Sequence, residues 1–200
     1  YSPQLDSWSS YHSYIPYHYF NRNQEVFSVK GNQIWQHLVG DYSIFYGDLP
    51  SPMQLDIVLN DIPNTTKTFD NLKFYTTSVN SSDIEQHYDT WNTLQCYNNR
   101  QNTGKCRLIV PRNFQEDFQS LSLFEVFCKL KSNEFRIAIP NDLVVDVESS
   151  IFEPTNLANS RNYRPAMSGK WLLVSLQYNN LRNNKFVLHS IGRIFRHRIR

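Results

Sequence analysis

Alanine is almost missing from this chain of 200 residues, occurring only at Ala138, Ala158 and Ala166. A helical protein rarely avoids its best helix former so completely, so an α-helical architecture is excluded. Cysteine is scarce too. The three thiols, Cys96, Cys106 and Cys128, are too few for a disulfide scaffold, and none stands in a Cys-x-x-Cys pair. The six glycines form no Gly-rich loop, which removes the phosphate-cradling and dinucleotide-binding fingerprints, and no nucleophile elbow occurs. There is no apolar run of about 18 residues, so no membrane-spanning helix is expected. The chain opens at Tyr1 without an initiator Met or a charged-then-apolar leader. It therefore reads as a processed product or as a piece of a longer polypeptide, with no secretory signal.

Acidic residues are missing from the whole C-terminal end. Pro154 to Arg200 contains no Asp or Glu and nine Arg or Lys, whereas residues 1–153 carry 11 basic groups against 18 acidic ones, a charge of −7. The formal net charge of +2 thus conceals an acidic body and a basic end. Arg193, Arg196, Arg198 and Arg200 crowd the last eight residues together with His197. Such a block suits an acidic protein neighbour first, a solvated tail second and a phosphate backbone third.

Aromatic residues make up 14% of the chain, which argues against disorder, and Asn, Ser, Thr, Tyr and Phe suit strands joined by turns. Residues 1–20 hold Trp8, Tyr11 and Tyr14 among several aromatics, and Pro3 and Pro16 argue against a helix there. The segment is expected to be irregular and extended, packing on a sheet. Glu25 to Lys30, a Gly31-Asn32 turn and Gln33 to Leu38 read as a hairpin. Met53 to Asn60 puts Leu55, Ile57 and Leu59 on one face at a period of two. Strands are also predicted over Asn71 to Val79, over 84–97 (although that segment also carries helical spacing), and over Arg107 to Val110. Phe124 to Leu130 and Glu134 to Ile139 form a second hairpin, Asp142 to Glu148 a further short strand or turn, and 149–168 a long surface connection. Lys170 to Tyr178, a turn over Asn179 to Asn184, and Lys185 to Ile194 read as a final hairpin.

About ten strands without a helix predict a mainly-β fold: an antiparallel β-sandwich or two packed sheets. The length fits one such domain, at roughly 100–200 residues per domain. Residues 1–168 are expected to form the body, with a C-terminal hairpin over 169–200 packed on it.

Motifs that carry chemistry are largely missing from the sequence. The histidines offer no metal-type spacing, and His12, His18 and His189 read as structural. Asp41 with Asp48, or Asp83 with Glu85 and Asp89, would serve acid–base work only in a shared cleft, and solvated loop carboxylates are commoner. Cys96 and Cys106 flank a loop, so a disulfide is conceivable, but buried thiols are favoured, and Cys128 reads as core. Trp35 and Trp171 lie in predicted strands and are assigned to the core. Trp8 and Trp91 are open to two readings, core residues or exposed platforms for a sugar or a protein. No catalytic residue, metal or cofactor is expected.

Several ordered segments carry a resemblance. Trp8-Ser9-Ser10-Tyr11-His12-Ser13-Tyr14-Ile15-Pro16 is similar to a W-x-S-x-x-S-x-x-P element of large virion proteins of tailed bacteriophages. Asn32 to His37, Phe45-Tyr46-Gly47, Val58-Leu59-Asn60, Lys67 to Leu72, Ser168 to Leu172, Asn179-Asn180 and Lys185 to His189 follow in matching order. Together they resemble the C-terminal part of the muzzle, or stabilisation, proteins of crAss-like phages. The basic run Ile194 to Arg200 departs from the ending that the family leads one to expect.

The resemblance implies a virion tail component, made in the bacterial host cytoplasm. It would close the distal tail channel and take part in genome release through contacts with other tail proteins, as a homo-oligomer in a ring. Trp8, Tyr11, Tyr14, Arg193, Arg196, Arg198 and Arg200 are the candidate docking residues. The alternative is a receptor- or glycan-binding module that stacks sugars on Trp8 and Trp91. Nucleic-acid contact ranks last among the partners.

Overall fold

The computed structural model describes residues 15–48, 50–60, 62–112, 124–142 and 165–197. Every regular element among them is a strand, so the predicted mainly-β class holds. In chain order they are β1 (His18–Arg22), β2 (Glu25–Lys30), β3 (Gln33–Gln36), β4 (Met53–Leu59), β5 (Lys67–Val79), β6 (Thr93–Tyr97), β7 (Cys106–Ile109), β8 (Glu125–Lys131), β9 (Glu134–Ala138), β10 (Ser168–Gly169), β11 (Leu172–Tyr178) and β12 (Lys185–His197). The chain divides into two compact units, Tyr1–Ser51 and Pro52–Arg200.

The first unit is an antiparallel meander, β1-β2-β3. Its turns follow from backbone chemistry. Gly31 takes φ 62 at the first central position of the β2–β3 turn, which a residue without a Cβ adopts at no steric cost. Asn23 and Gln24, at φ 50 and 68, make the β1–β2 turn without any glycine. Ser28 is buried on one face, where its Oγ lies 2.9 Å from the Tyr46 hydroxyl and 2.7 Å from His37 Nε2. The loop after β3 thereby folds back over the sheet. Trp35 meets Tyr46 edge-on at 5.5 Å, and Gly47 lies so close to the Trp35 ring that a Cβ would stand 3.3 Å from it.

The second unit is one nine-stranded sheet that curls over a single core. β12 runs along one edge of β5, while β9 and β10 share the other. From β9 the order continues β8-β7-β6-β11-β4. β7 and β8 are the one parallel pair among the described strands. Leu172, Val174, Leu176 and Tyr178 of β11 alternate inward and are buried with Leu94 and Cys96 of β6. They share the core with Leu72 and Phe74 of β5 and with Phe135 and Ile137 of β9, where Phe74 and Phe135 stack at 5.7 Å. Each such side chain, fully buried, stabilises the fold by about 1.5–3 kcal/mol.

Two bulges reset the alternation. Phe69 and Leu72 are both buried although three residues apart, because Asp70 is an extra residue of β5 opposite the Ile194–Phe195 step of β12. His189 is the extra residue on β12 between Leu188 and Ser190. It stacks on Tyr75 at 4.5 Å, and its Nε2 lies 2.8 Å from Thr77 Oγ1, a structural role as expected.

Four expectations are corrected. The final hairpin does not form: β11 pairs with β4 and β6, whereas β12 pairs with β5. The reason lies in the 179–184 connection. Asn180 accepts from the Asn184 backbone N–H at 2.8 Å and donates to its carbonyl at 2.7 Å, closing a loop that redirects the chain to the opposite side of the core. Residues 84–97 are a strand only from Thr93, since side-chain hydrogen bonds hold the preceding residues in a loop. The first twenty residues are not all irregular, because β1 begins at His18, past Pro16, where Tyr19 and Phe20 pair with Ser28 and Phe27. Trp35 and Trp171 are half-buried rather than core. Residues 143–164, including most of the 149–168 connection, lie outside the described residues.

Candidate functional site

Chemically distinctive side chains of the second unit gather where β5, β11 and β12 end or begin. The loop 80–92 builds this corner. Asn80 Oδ1 accepts the backbone N–H groups of Ser82 and Ile84, each at 2.9 Å, an Asx-type turn that competes with strand pairing. Gln86 N–H then donates to the Ser78 carbonyl at 2.7 Å, and Asp89 N–H to the Gln86 carbonyl at 3.0 Å.

This path lays Asp89 over the end of β5. One of its oxygens, Oδ2, accepts from Ser78 Oγ, from the Tyr178 hydroxyl at 2.7 Å and from Asn184 Nδ2 at 2.9 Å. Burial, and then the hydrogen bond and charge of Asp89, push the Tyr178 pKa up, so the phenol stays protonated and donates. Thr76 and Thr90 share a buried hydroxyl contact at 2.9 Å beside it. On the core side Tyr178 stacks on Phe186 at 4.0 Å, and Trp91 meets Phe186 edge-on at 5.1 Å. One carboxylate and three rings thus tie the ends of β5 and β11 to the start of β12.

A cleft of about 630 Å3 opens beside this cluster. Glu85, His87, Tyr88, Arg112 and Arg182 line it together with Asp89 of the cluster, with charges of both signs around two exposed rings. Glu85 and His87 face each other at 3.6 Å in solvent. Asp89 is committed to three donors, and Glu85 has an exposed imidazole as neighbour. The predicted Asp83, Glu85 and Asp89 set therefore divides into one carboxylate that ties strand ends and two exposed loop charges. In the first unit Asp48 pairs with Lys30 at 3.4 Å, again at the surface.

The remaining predicted residues separate. Trp91 is 1% exposed, so of its two readings the core one holds and the sugar-stacking alternative falls: a ring enclosed by the core has no face to offer. Arg196 is exposed and grips Asp70 with two parallel bonds, Nε to Oδ2 at 2.8 Å and Nη2 to Oδ1 at 2.7 Å. Arg193 lies three residues earlier on the same strand, paired with Leu72. Trp8, Tyr11, Tyr14, Arg198 and Arg200 lie outside the described residues. All three cysteines are buried free thiols. Burial pushes Cys128 up to about 12, and burial together with neighbouring Cys106 pushes Cys96 higher still, so neither is a nucleophile at neutral pH. No group of three His, Cys, Asp or Glu residues with metal-binding geometry occurs among the described residues. Asp89 was legible in the sequence only as a loop acid. Its partners Tyr178 and Asn184 lie 89 and 95 residues away, and no local spacing signals them.

Comparison with known proteins supplies what the corner alone does not. The model of the crassvirus muzzle protein C-terminal domain matches residues 40–142, which include β4 through β9. The muzzle protein of Bacteroides phage crAss001 is 28% identical over 103 residues, 50% of this chain. That stretch is 7% of the relative's length.

Proposed function

The chain belongs to the crassvirus muzzle protein C-terminal domain family, and on that footing we propose that it serves at the distal end of a phage tail, closing the channel and taking part in genome release. It is a phage structural protein of the muzzle type, and its work is protein–protein contact rather than catalysis. The observation that carries the reading is the family match over residues 40–142. The Asp89 corner is compatible with it, since three donors from strand ends converge on that carboxylate's Oδ2.

The docking residues we propose are the aromatic stretch with Trp8, Tyr11 and Tyr14, and the basic end with Arg193, Arg196, Arg198 and Arg200. Neighbouring tail proteins and further copies of the chain are the partners, in a ring. The domain reading, with residues 1–168 as the body and 169–200 packed on it, belongs to the same proposal. The glycan-binding alternative is left with Trp8 once Trp91 is enclosed.

Purified virions provide the test. Peptides of this chain should be recovered from intact particles by mass spectrometry, and gold-labelled antibody should decorate the end of the tail. Particles assembled without the protein should lose DNA prematurely. Particles that lack the protein yet retain and deliver their genomes would end the reading.

A further inference from the structure

The nine-stranded sheet has two outer edges, β4 and β12, and no described strand pairs with the outer side of either. β4 is seven residues long, and its outward face carries Gln54, Asp56 and Val58, the last 60% exposed. β12 is thirteen residues long, and its outward positions include Ile194, 48% exposed, and Arg196. A row of unpaired backbone N–H and C=O groups is a template for another strand.

We infer that β4 of one copy pairs antiparallel with β12 of the next, with Asp56 opposite Arg196 and Val58 opposite Ile194. This deepens the proposed ring by naming its contact, and it rests on that reading. Three observations select the arrangement. The spacing matches: Asp56 and Val58 lie two residues apart, as do Ile194 and Arg196, so one antiparallel register satisfies the charged and the apolar pair together. A parallel register that pairs Asp56 with Arg196 sets Ile194 opposite Gln54 instead. The charges disfavour like-with-like contacts at these positions. A twofold β4–β4 contact centred on Asp56 sets two carboxylates opposite each other, and a twofold β12–β12 contact centred on Arg196 or Arg193 sets two guanidiniums opposite each other. Arg196 also has capacity to spare, because Asp70 takes two of its five donors. A contact between different edges is head-to-tail, the kind that closes rings.

Cysteine pairing tests the register in the full chain. Opposed Cα atoms in an antiparallel pair lie about 4.5–5.5 Å apart, within disulfide range. The native thiols are buried and contribute no background. Val58→Cys and Ile194→Cys proteins, mixed and oxidised, should give a covalent dimer that neither gives alone. The double variant should give a ladder of multimers on a non-reducing gel. Dimer from Val58→Cys alone would overturn the inference in favour of β4–β4 pairing. So would a mixture that fails to cross-link while sedimentation shows an oligomer, or a chain that stays monomeric at all concentrations. Detection of the chain in virions is scored separately, so the tail reading can survive the loss of this contact.

Discussion

Asp89 gathers on a single oxygen donors from β5, β11 and the residue that precedes β12, and the energetic consequence is asymmetric. Removing one donor leaves two others, so Tyr178→Phe should cost about 1 kcal/mol, whereas Asp89→Ala strands three donors and should cost about 3–5 kcal/mol. Asp89→Asn keeps an acceptor and should fall between. The midpoint of urea unfolding reads all three, and equal losses from Tyr178→Phe and Asp89→Ala would show that the carboxylate is not the hub. The buried thiols make a second residue-scale prediction, with a definite sign. The folded pKa values of Cys96 and Cys128 lie above the unfolded value near 9, so their contribution is complete below pH 9 and falls away as pH rises toward the folded value of about 12 for Cys128. At pH 10 the loss is about 1.4 kcal/mol for each of these two thiols, because the unfolded chain ionises and the folded one does not. Cys128→Ala should flatten the alkaline slope of the unfolding free energy between pH 8 and 10. An unchanged slope would place the thiol in water.

At the scale of the element, β1–β2 turns through Asn23 and Gln24 with φ 50 and 68, a geometry in which a side chain costs about 1 kcal/mol. Gln24→Gly should therefore stabilise the first unit by about that amount, visible as slower amide exchange at Ser28. Faster exchange would mean that the Gln24 side chain holds the turn. Turns of this kind also mark what the sequence could reveal. The Gly31-Asn32 turn places β2 to the residue because glycine announces the conformation, alternation places β4 to within one residue, and an apolar run closed by Pro111 and a hairpin pattern place β7, β8 and β9 to within one or two. β1 was missed because Asn23-Gln24 is not a glycine turn. The final hairpin was predicted because β11 and β12 are neighbours in sequence and both alternate. Their true partners are chosen by burial on opposite sides of one core, a choice that alternation within a strand does not encode. The bulge at Asp70 was present as a broken period between Phe69 and Leu72, a signal that only the pairing with β12 explains.

Among the described residues of the whole molecule, the buried apolar side chains all fall between Leu59 and Tyr178, within the second unit, and the buried position in the first unit is Ser28. Deleting residues 1–51 therefore removes no member of that core. A fragment of residues 52–200 keeps all nine described strands of the second unit, and a chain of about 150 residues buries close to 70% of its unfolded surface, enough for a cooperative fold. A three-stranded meander with a polar centre has far less to gain and is marginal alone. The fragment 52–200 should accordingly unfold in a single urea transition, with a free energy within about 0.5 kcal/mol of the same transition in the full chain. The fragment 1–51 should show weak, non-cooperative loss of strand signal by circular dichroism. The acidic excess of residues 52–153 and the basic end stay joined in 52–200, since β12 is bonded along its length to β5. The charge polarity thus belongs to one folded body, and the transition of 52–200 should survive 0.5 M salt, where screening reaches only a few ångströms and burial is untouched. Loss of the transition in salt would mean that the two charge blocks, rather than the core, hold the second unit together.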